Sequence, residues 1–238
     1  MTTHSSPSHY DSYYLGVIII KVQNCRFTVP QHLFQVSPKF ASRIKPLRPG
    51  EHPPIIDLEK VERIDFENFL LVLILGPGAA GKISASQWMV VLGLSTEWGF
   101  NQVRQQAINV LLSKPDNTSY VRLTVTAMGL GVGACFRLGC LELIGRDEPI
   151  SMSEAQHLGD KVAYRLCLLR EKRLTSGRRI GLADIEKTFS EIIEGIDRKD
   201  ATHGPPVVSL WNPLRPPAST QPVTTEERPT KRPCVGND

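Results

Sequence analysis

The segment Gly76-Pro77-Gly78-Ala79-Ala80-Gly81-Lys82 has residue types and spacing suited to holding a phosphate. In a P-loop, small residues let successive backbone N–H groups turn toward the phosphates while the lysine reaches the terminal ones. The first seven positions fit that pattern and the eighth does not. Ile83 stands where a Ser or Thr ligates Mg²⁺, with Ser84 one residue too late. The preceding residues 66–75, FENFLLVLIL, repeat at helical spacing where a P-loop follows a strand. No apolar run downstream ends in a convincing second Mg²⁺ carboxylate. The plain reading is an interhelical loop of small residues, and nucleotide binding through Gly76–Lys82 stands beside it as the alternative.

A second glycine-rich stretch, Gly129-x-Gly131-x-x-Ala134, loosely matches a dinucleotide fingerprint, with Asp147 and Glu148 near the ~20-residue offset of a ribose-binding acid. Such a site needs alternating strands and helices, whereas the chain after residue 65 reads as almost wholly helical. The six histidines never fall at i, i+4 with an acid between them, and the five cysteines form no C-x-x-C pair. No G-x-S-x-G elbow is present. Cys167, on what reads as an apolar helical face, is expected to be core packing rather than a nucleophile. No catalytic, cofactor-binding or metal-ligating residue emerges, so the chain reads as a non-enzyme with no cofactor.

Composition agrees with a folded chain of mixed surface charge. Of 238 residues 41% are hydrophobic, enough for a core, and the formal net charge is +4 with both signs interspersed. Nothing in that balance asks for nucleic acid. An odd number of unpatterned cysteines fits a reducing compartment. The polar start MTTHSSPSHYDSYY lacks the order of a signal peptide, and no apolar run approaches the ~20 residues of a membrane span. The expectation is a soluble, intracellular protein, cytoplasmic or nuclear.

The elements follow from local pattern. Val17–Ile20 and Arg26–Val29, separated by Gln23-Asn24, predict a β-hairpin. Ser37-Pro38 predicts a helix start carrying Phe40 and Ile44, and Ile55–Leu58 a third short strand. Asp65 is placed to cap a helix bearing Phe66, Phe69, Leu70, Leu73 and Ile74. The clearest stretch is residues 84–112. Ser84 and Gln87 have capping-box spacing, and Trp88, Val91, Leu92, Ser95 and Trp98 share one helical face that must be buried. Gly99 can close this helix in a left-handed conformation, and Asn101 can cap the next, which buries Val103, Ala107, Val110 and Leu111.

Farther on, residues 118–128 read as a helix ending at Gly129, and Phe136–Ile144 as another. Ser151 and Glu154 form a second capping box, opening one helix that carries Ala155, Leu158, Val162, Leu166 and Leu169 inward until Gly177. Leu182, Ile185, Phe189, Ile192 and Ile193 predict a last helix to about Asp200. The tail beyond holds eight of the chain's 18 prolines and little apolar spacing, so disorder is expected from 201 to 238.

Several of these pieces together resemble a family. Phe27-Thr28-Val29, Ser37-Pro38-Lys39-Phe40, Pro54-Ile55-Ile56-Asp57-Leu58 and Asp65-Phe66-Glu67-Asn68-Phe69-Leu70 look like the core of a BTB/POZ domain. Gln87–Leu92, Ser95–Phe100 and Val103–Ile108 are similar to the paired helices of the expanded BTB proteins of mushroom-forming fungi, as is Arg146-Asp147-Glu148-Pro149-Ile150 with Glu154, Leu158-Gly159 and Leu169-Arg170-Glu171. The sequence departs from that pattern at Pro30-Gln31, Leu75-Gly76-Pro77 and Gly131–Phe136. The resemblance implies an α+β fold in which a small sheet packs on a helical cluster. The resemblance covers roughly residues 14–175; with the unpatterned ends it divides the chain into a flexible 1–13, a BTB/POZ-like domain at 14–112, a helical extension at 113–200 and a disordered tail at 201–238. It implies protein–protein association, as a homodimer or with other proteins, with a cullin-type ubiquitin ligase scaffold among the partners such domains take. Dimerisation is expected through the N-terminal sheet edge, where Tyr13, Tyr14, Leu15 and Val17–Ile20 lie.

Overall fold

The structure, a computed structural model, describes residues 16–44, 52–113 and 117–203. The lead-in expected at 1–13 and the tail beyond His203 lie outside the described residues. What is described is mostly helical with one small mixed sheet.

Strand β1, Val17–Val22, turns through Gln23-Asn24 into antiparallel β2, Cys25–Pro30. Strand β3, Ile55–Asp57, pairs with β1 in parallel, giving the order β2-β1-β3. Side chains alternate across a strand, and Ile18, Ile20 and Val22 are the buried set of β1. This corrects the expectation that Val17–Ile20 forms an exposed edge. Strand β2 pairs along all of β1 and β3 along Ile19–Lys21, so the edges among the described residues are β2, with Arg26 and Thr28 exposed, and β3, with Ile55 exposed.

Two short helices, α1 at Gln31–Gln35 and α2 at Pro38–Ala41, follow the hairpin. Ser37 caps α2 by accepting from the Phe40 N–H and donates its own hydroxyl to the Trp98 carbonyl at 2.5 Å. Helix α3, Arg63–Leu75, starts after Glu62. Asp65 therefore sits inside the first turn, favourable to the helix dipole, rather than at the cap. Phe66, Phe69, Leu70 and Leu73 are buried as expected, but Ile74 is exposed.

The 84–112 stretch folds as its spacing predicts. Helix α4, Ala85–Trp98, opens with the Ser84–Gln87 capping box and closes at Gly99, whose φ of 76° is the left-handed conformation. Trp88, Val91, Leu92, Ser95 and Trp98 are all buried. Helix α5, Asn101–Leu112, follows after Phe100, and Asn101 is its first residue with no capping bond, correcting the cap assigned to it. The turn residue Phe100 and Trp98 point into an aromatic cluster, with Trp98 ring centroids 4.9 Å from Phe69 and 5.5 Å from Phe40.

The remaining helices are α6 Tyr120–Leu130, α7 Gly133–Gly145, α8 Met152–Leu158, α9 Asp160–Ser176 and α10 Leu182–Asp200. Helix α6 runs past Gly129 and closes at Gly131, where φ is 71° and any Cβ would come within 2.6 Å of the Lys199 Cβ. The Ser151–Glu154 capping box is formed, but the single helix expected from there to Gly177 breaks at Gly159 into α8 and α9. Leu158, Val162, Leu166 and Leu169 remain buried across the break. The buried apolar residues of both halves form one contiguous core.

Candidate functional site

The phosphate-binding geometry suggested by Gly76–Lys82 is not present. Helix α3, not a strand, leads into it, and Gly76–Ala79 form a 3-10 turn before the Ser84 cap. The N–H groups of Ala80 and Lys82 are spent within the turn on the carbonyls of Pro77 and Ala79, so they do not converge on an outside anion. Lys82 is exposed. Gly129–Ala134 is likewise the end of α6 and the start of α7, and Asp147 and Glu148 lie past the far end of α7, roughly 20 Å away by helical rise. Among the described residues no three His, Cys, Asp or Glu side chains gather as a metal site requires.

Burial pushes the thiols of Cys135 and Cys140 up to about 12, which makes both inert as nucleophiles. Cys167 is exposed rather than in the core, because it lies just past the edge of the α9 face that is buried through Val162, Ala163, Leu166 and Leu169. Tyr164 and Leu168 flank it on the outward face.

Polar chemistry inside the fold is concentrated on arginines that composition and periodicity do not flag. Arg104, on α5, is 5% exposed. It donates to Thr96 Oγ1, to the carbonyls of Leu130 and Gly131 at the end of α6, and to Asp200 Oδ1 at 2.8 Å. A cation on helix-terminal carbonyls satisfies acceptors left free there and meets the negative end of the dipole. Arg170, on α9, does the same for the end of α7 and the turn after it, donating to the carbonyls of Leu143, Arg146, Asp147 and Glu148 at 2.6 to 3.1 Å. Arg146 grips Glu154 with two bonds of 2.8 and 2.6 Å, and the paired guanidinium holds that carboxylate down at about 2. These arginines have their partners and pin helices together.

Among the described residues four buried side-chain atoms have no hydrogen-bond partner, Asn68 Nδ2, Trp88 Nε1, Gln106 Oε1 and Arg173 Nε, and the acceptor among them is on α5. Gln106 is 8% exposed; its Nε2 donates to the Gly76 carbonyl at 2.5 Å, tying the 3-10 turn to α5, while its Oε1 accepts no hydrogen bond. A buried acceptor without a donor costs about 1–3 kcal/mol, and this oxygen has almost no accessible surface of its own. Gln106 lines a groove of about 440 Å³ between α5 and the turn, with Pro77, Ala80 and Val110 as its apolar wall and the amides of Gln105 and Asn109 on its rim. Across α5, and sharing Gln105 with it, lies a second groove of about 500 Å³ lined by Ile108, Leu112, Val132, Asp197, Asp200 and His203. On the rim of the first groove the Gln105 Nε2 donates to Asn109 Oδ1 at 3.1 Å, so the slot sets exposed amides beside apolar surface. The positions that make this groove carried no motif. The only sequence signal was the run of carboxamides Gln102, Gln105, Gln106 and Asn109 on a helix whose opposite face is apolar. Comparison with family models, with curated proteins and with solved structures finds no match to this chain.

Proposed function

We propose that this chain acts by binding proteins, as an association module of the BTB/POZ type rather than as an enzyme, and that the groove beside α5 receives an extended segment of a protein partner. The observation that carries the reading is the apolar groove beside α5, walled by Pro77, Ala80 and Val110 and rimmed by the amides of Gln105 and Asn109. The order of elements supports it: a hairpin, two short helices, a third strand, a central helix and then the α4–α5 pair follow the sequence segments that resemble BTB/POZ domains. Exposed Ile55, Ile64, Ile74 and Leu75 give the same half further apolar surface for association. Partners in this reading are a second copy of the chain or other proteins, with a cullin scaffold included by resemblance. The setting is intracellular, cytoplasmic or nuclear, and among the described residues no helix is long and apolar enough to cross a membrane. No cofactor enters the reading.

The test is capture of partners on the immobilised full-length chain and on Val110→Glu and Asn109→Arg variants of matched melting temperature, with purified cullin among the proteins offered. Partners held by the wild type and released by both variants support the groove. Partners held equally by all three remove the groove from the proposal. A rise in melting temperature with millimolar Mg·ATP, GTP or NAD would instead favour the nucleotide alternative, because a ligand of the native state stabilises it.

A further inference from the structure

We propose that the cleft between the end of α7 and the connection from α9 to α10 binds a phosphorylated segment of a protein partner through Arg178 and Arg179. The inference takes from the proposed function only that this chain binds proteins, and it concerns a surface in the other half of the molecule from the groove beside α5.

The sequence concentrates positive charge here. Residues 170–179, REKRLTSGRR, hold five basic side chains and one acid. Helix α9 stops at Gly177, whose φ of 62° is left-handed, and the turn delivers Arg178 and Arg179 to the cleft. The connection that carries them is held along its length. Ser176 Oγ donates to the Lys172 carbonyl at 2.6 Å and accepts from the Arg178 N–H at 3.2 Å, and Ile180 is buried. Just beyond, the Gly181 N–H donates to Asp184 at 3.2 Å where α10 begins.

The cleft has a volume of about 530 Å³, in the range of ligand sites. Leu138, Leu141 and Ile180 give it an apolar side, while Arg173, Arg178 and Arg179 give it a cationic one with Glu142 as the acid of the lining. The three guanidiniums differ in what they have left to offer. Arg173 is committed to the fold, donating to the carbonyls of Gly145 and Arg146 at 2.8 and 3.3 Å. Carbonyls satisfy its N–H groups without cancelling its charge, and the carboxylate within ion-pair range, Asp147 at 3.9 Å, is fully exposed. Arg178 meets Asp184 at 3.1 Å, but Lys172 shares that carboxylate at 3.2 Å, so two cations face one anion. Arg179 is exposed and makes no hydrogen bond or ion pair among the described residues. Burial, followed by the charges of Arg146 and Arg173, pulls the nearby Arg170 guanidinium below its ordinary value, as an unbalanced positive field does.

A guanidinium with free N–H groups is a fork that matches the oxygens of a phosphate or carboxylate. A phosphate monoester carries about −1.5 to −2 charge at pH 7 and three acceptor oxygens, so it can engage Arg178 and Arg179 together and answer a field set by more than one cation. The apolar side adjoins these arginines and receives an aliphatic side chain next to the phosphorylated residue, which inorganic phosphate lacks. A single-stranded nucleic acid would want aromatic faces for its bases, and none of the described residues lining the cleft is aromatic.

The test is fluorescence anisotropy on the full-length chain at physiological salt, with the labelled peptide Gly-Ala-Leu-phosphoserine-Leu-Ala, the same peptide with serine or with glutamate at the modified position, and a labelled oligothymidylate. The phosphorylated peptide is expected to bind about tenfold more tightly than either unmodified form, and Arg178→Gln and Arg179→Gln each to weaken it about five- to tenfold. Lys82→Gln, which removes the same charge from an exposed turn elsewhere, is expected to leave it unchanged. Arg179 has no partner in the fold to lose, so its variant keeps the test decisive should Arg178→Gln disturb Asp184. Equal binding of the phosphorylated and serine peptides overturns the inference, as does equal binding of the glutamate peptide, since any acid would then serve. A loss as large in Lys82→Gln overturns it in favour of net charge alone. Tighter binding of oligothymidylate, lost in the same two arginine variants, makes the surface one for nucleic acid and overturns it too. So does inorganic phosphate that displaces the labelled peptide as well as unlabelled phosphopeptide does, because the apolar side then contributes nothing. None of these outcomes bears on the groove beside α5, which neither arginine lines.

Discussion

The two halves of the molecule are held by different forces. From β1 to α5 the core is aromatic: Phe27, Phe34, Phe40, Phe66, Phe69, Trp98 and Phe100 form a connected set of ring contacts with centroids 4.9 to 6.5 Å apart. From α6 to α10 Phe136 packs edge-on against Phe189, centroids 5.6 Å apart, and the helix ends are gripped by charged groups instead. Aromatic burial responds little to salt or pH, whereas ion pairs and charged hydrogen bonds respond to both. The C-terminal half is thus the part whose stability conditions can tune. Arg104 adds a polar tie to the core the halves share, reaching from α5 to α6 and α10.

The largest effect expected from breaking this contrast is at Trp98. Its ring packs on Phe40, Phe66 and Phe69, and its carbonyl accepts from buried Ser37. Trp98→Ala should cost about 3–5 kcal/mol by chemical denaturation, with no change in that loss between 0.1 and 1 M NaCl. A loss under 1 kcal/mol would place Trp98 outside the core that organises the first half.

Next comes Arg170→Met, which keeps the apolar stem and removes the guanidinium from four carbonyls. It should cost about 2–3 kcal/mol, with hydrogen exchange rising first in residues 143–150 and α9 rather than in α4 and α5. Exchange rising equally in both halves would erase the distinction between them.

Glu154 sharpens the comparison through pH. Its carboxyl is held at about 2 chiefly by the Arg146 guanidinium, against an ordinary value of 4.5. A depressed acid gives stability that is fully present above its unfolded pKa and is lost as pH falls through the folded one, here from about pH 4.5 toward 2. With a quarter of each side chain still facing water, the contribution is about 1–2 kcal/mol. Glu154→Gln should remove that much at pH 7 and flatten the wild-type decline between pH 4.5 and 2. An unchanged acid profile would mean the pair contributes nothing.

The smallest effect belongs to the segment that looked most like chemistry. Lys82 is exposed on a turn whose amides bond internally, so Lys82→Ala should change stability by well under 1 kcal/mol. A shift comparable to that of Arg170→Met would require a partner for Lys82.

Sequence alone determined whatever rests on residues within a turn of each other. The Ser84–Gln87 and Ser151–Glu154 capping boxes, the Ser37 cap before Pro38, the Gln23-Asn24 hairpin turn and the left-handed Gly99 are all set by neighbouring residues and the local backbone. The buried stripe from Trp88 to Trp98 was legible for the same reason, since 3.6-residue spacing fixes which side chains share a face. Where spacing misled, the local signal was indifferent to the outcome. Apolar residues keep helical register straight through Gly159, so the break between α8 and α9 was invisible, and Cys167 sits near a face boundary that only packing assigns. Tertiary structure alone decided that β1 is central, because β3 pairs with it after a connection of more than thirty residues, in parallel. It alone brought Arg104 to Asp200, 96 positions away, and set Gln106 against the Gly76 carbonyl with one amide oxygen unused. Burial makes these groups matter: a guanidinium or carboxamide that could face water anywhere along the chain acquires a fixed partner, or conspicuously lacks one, only once distant helices close over it.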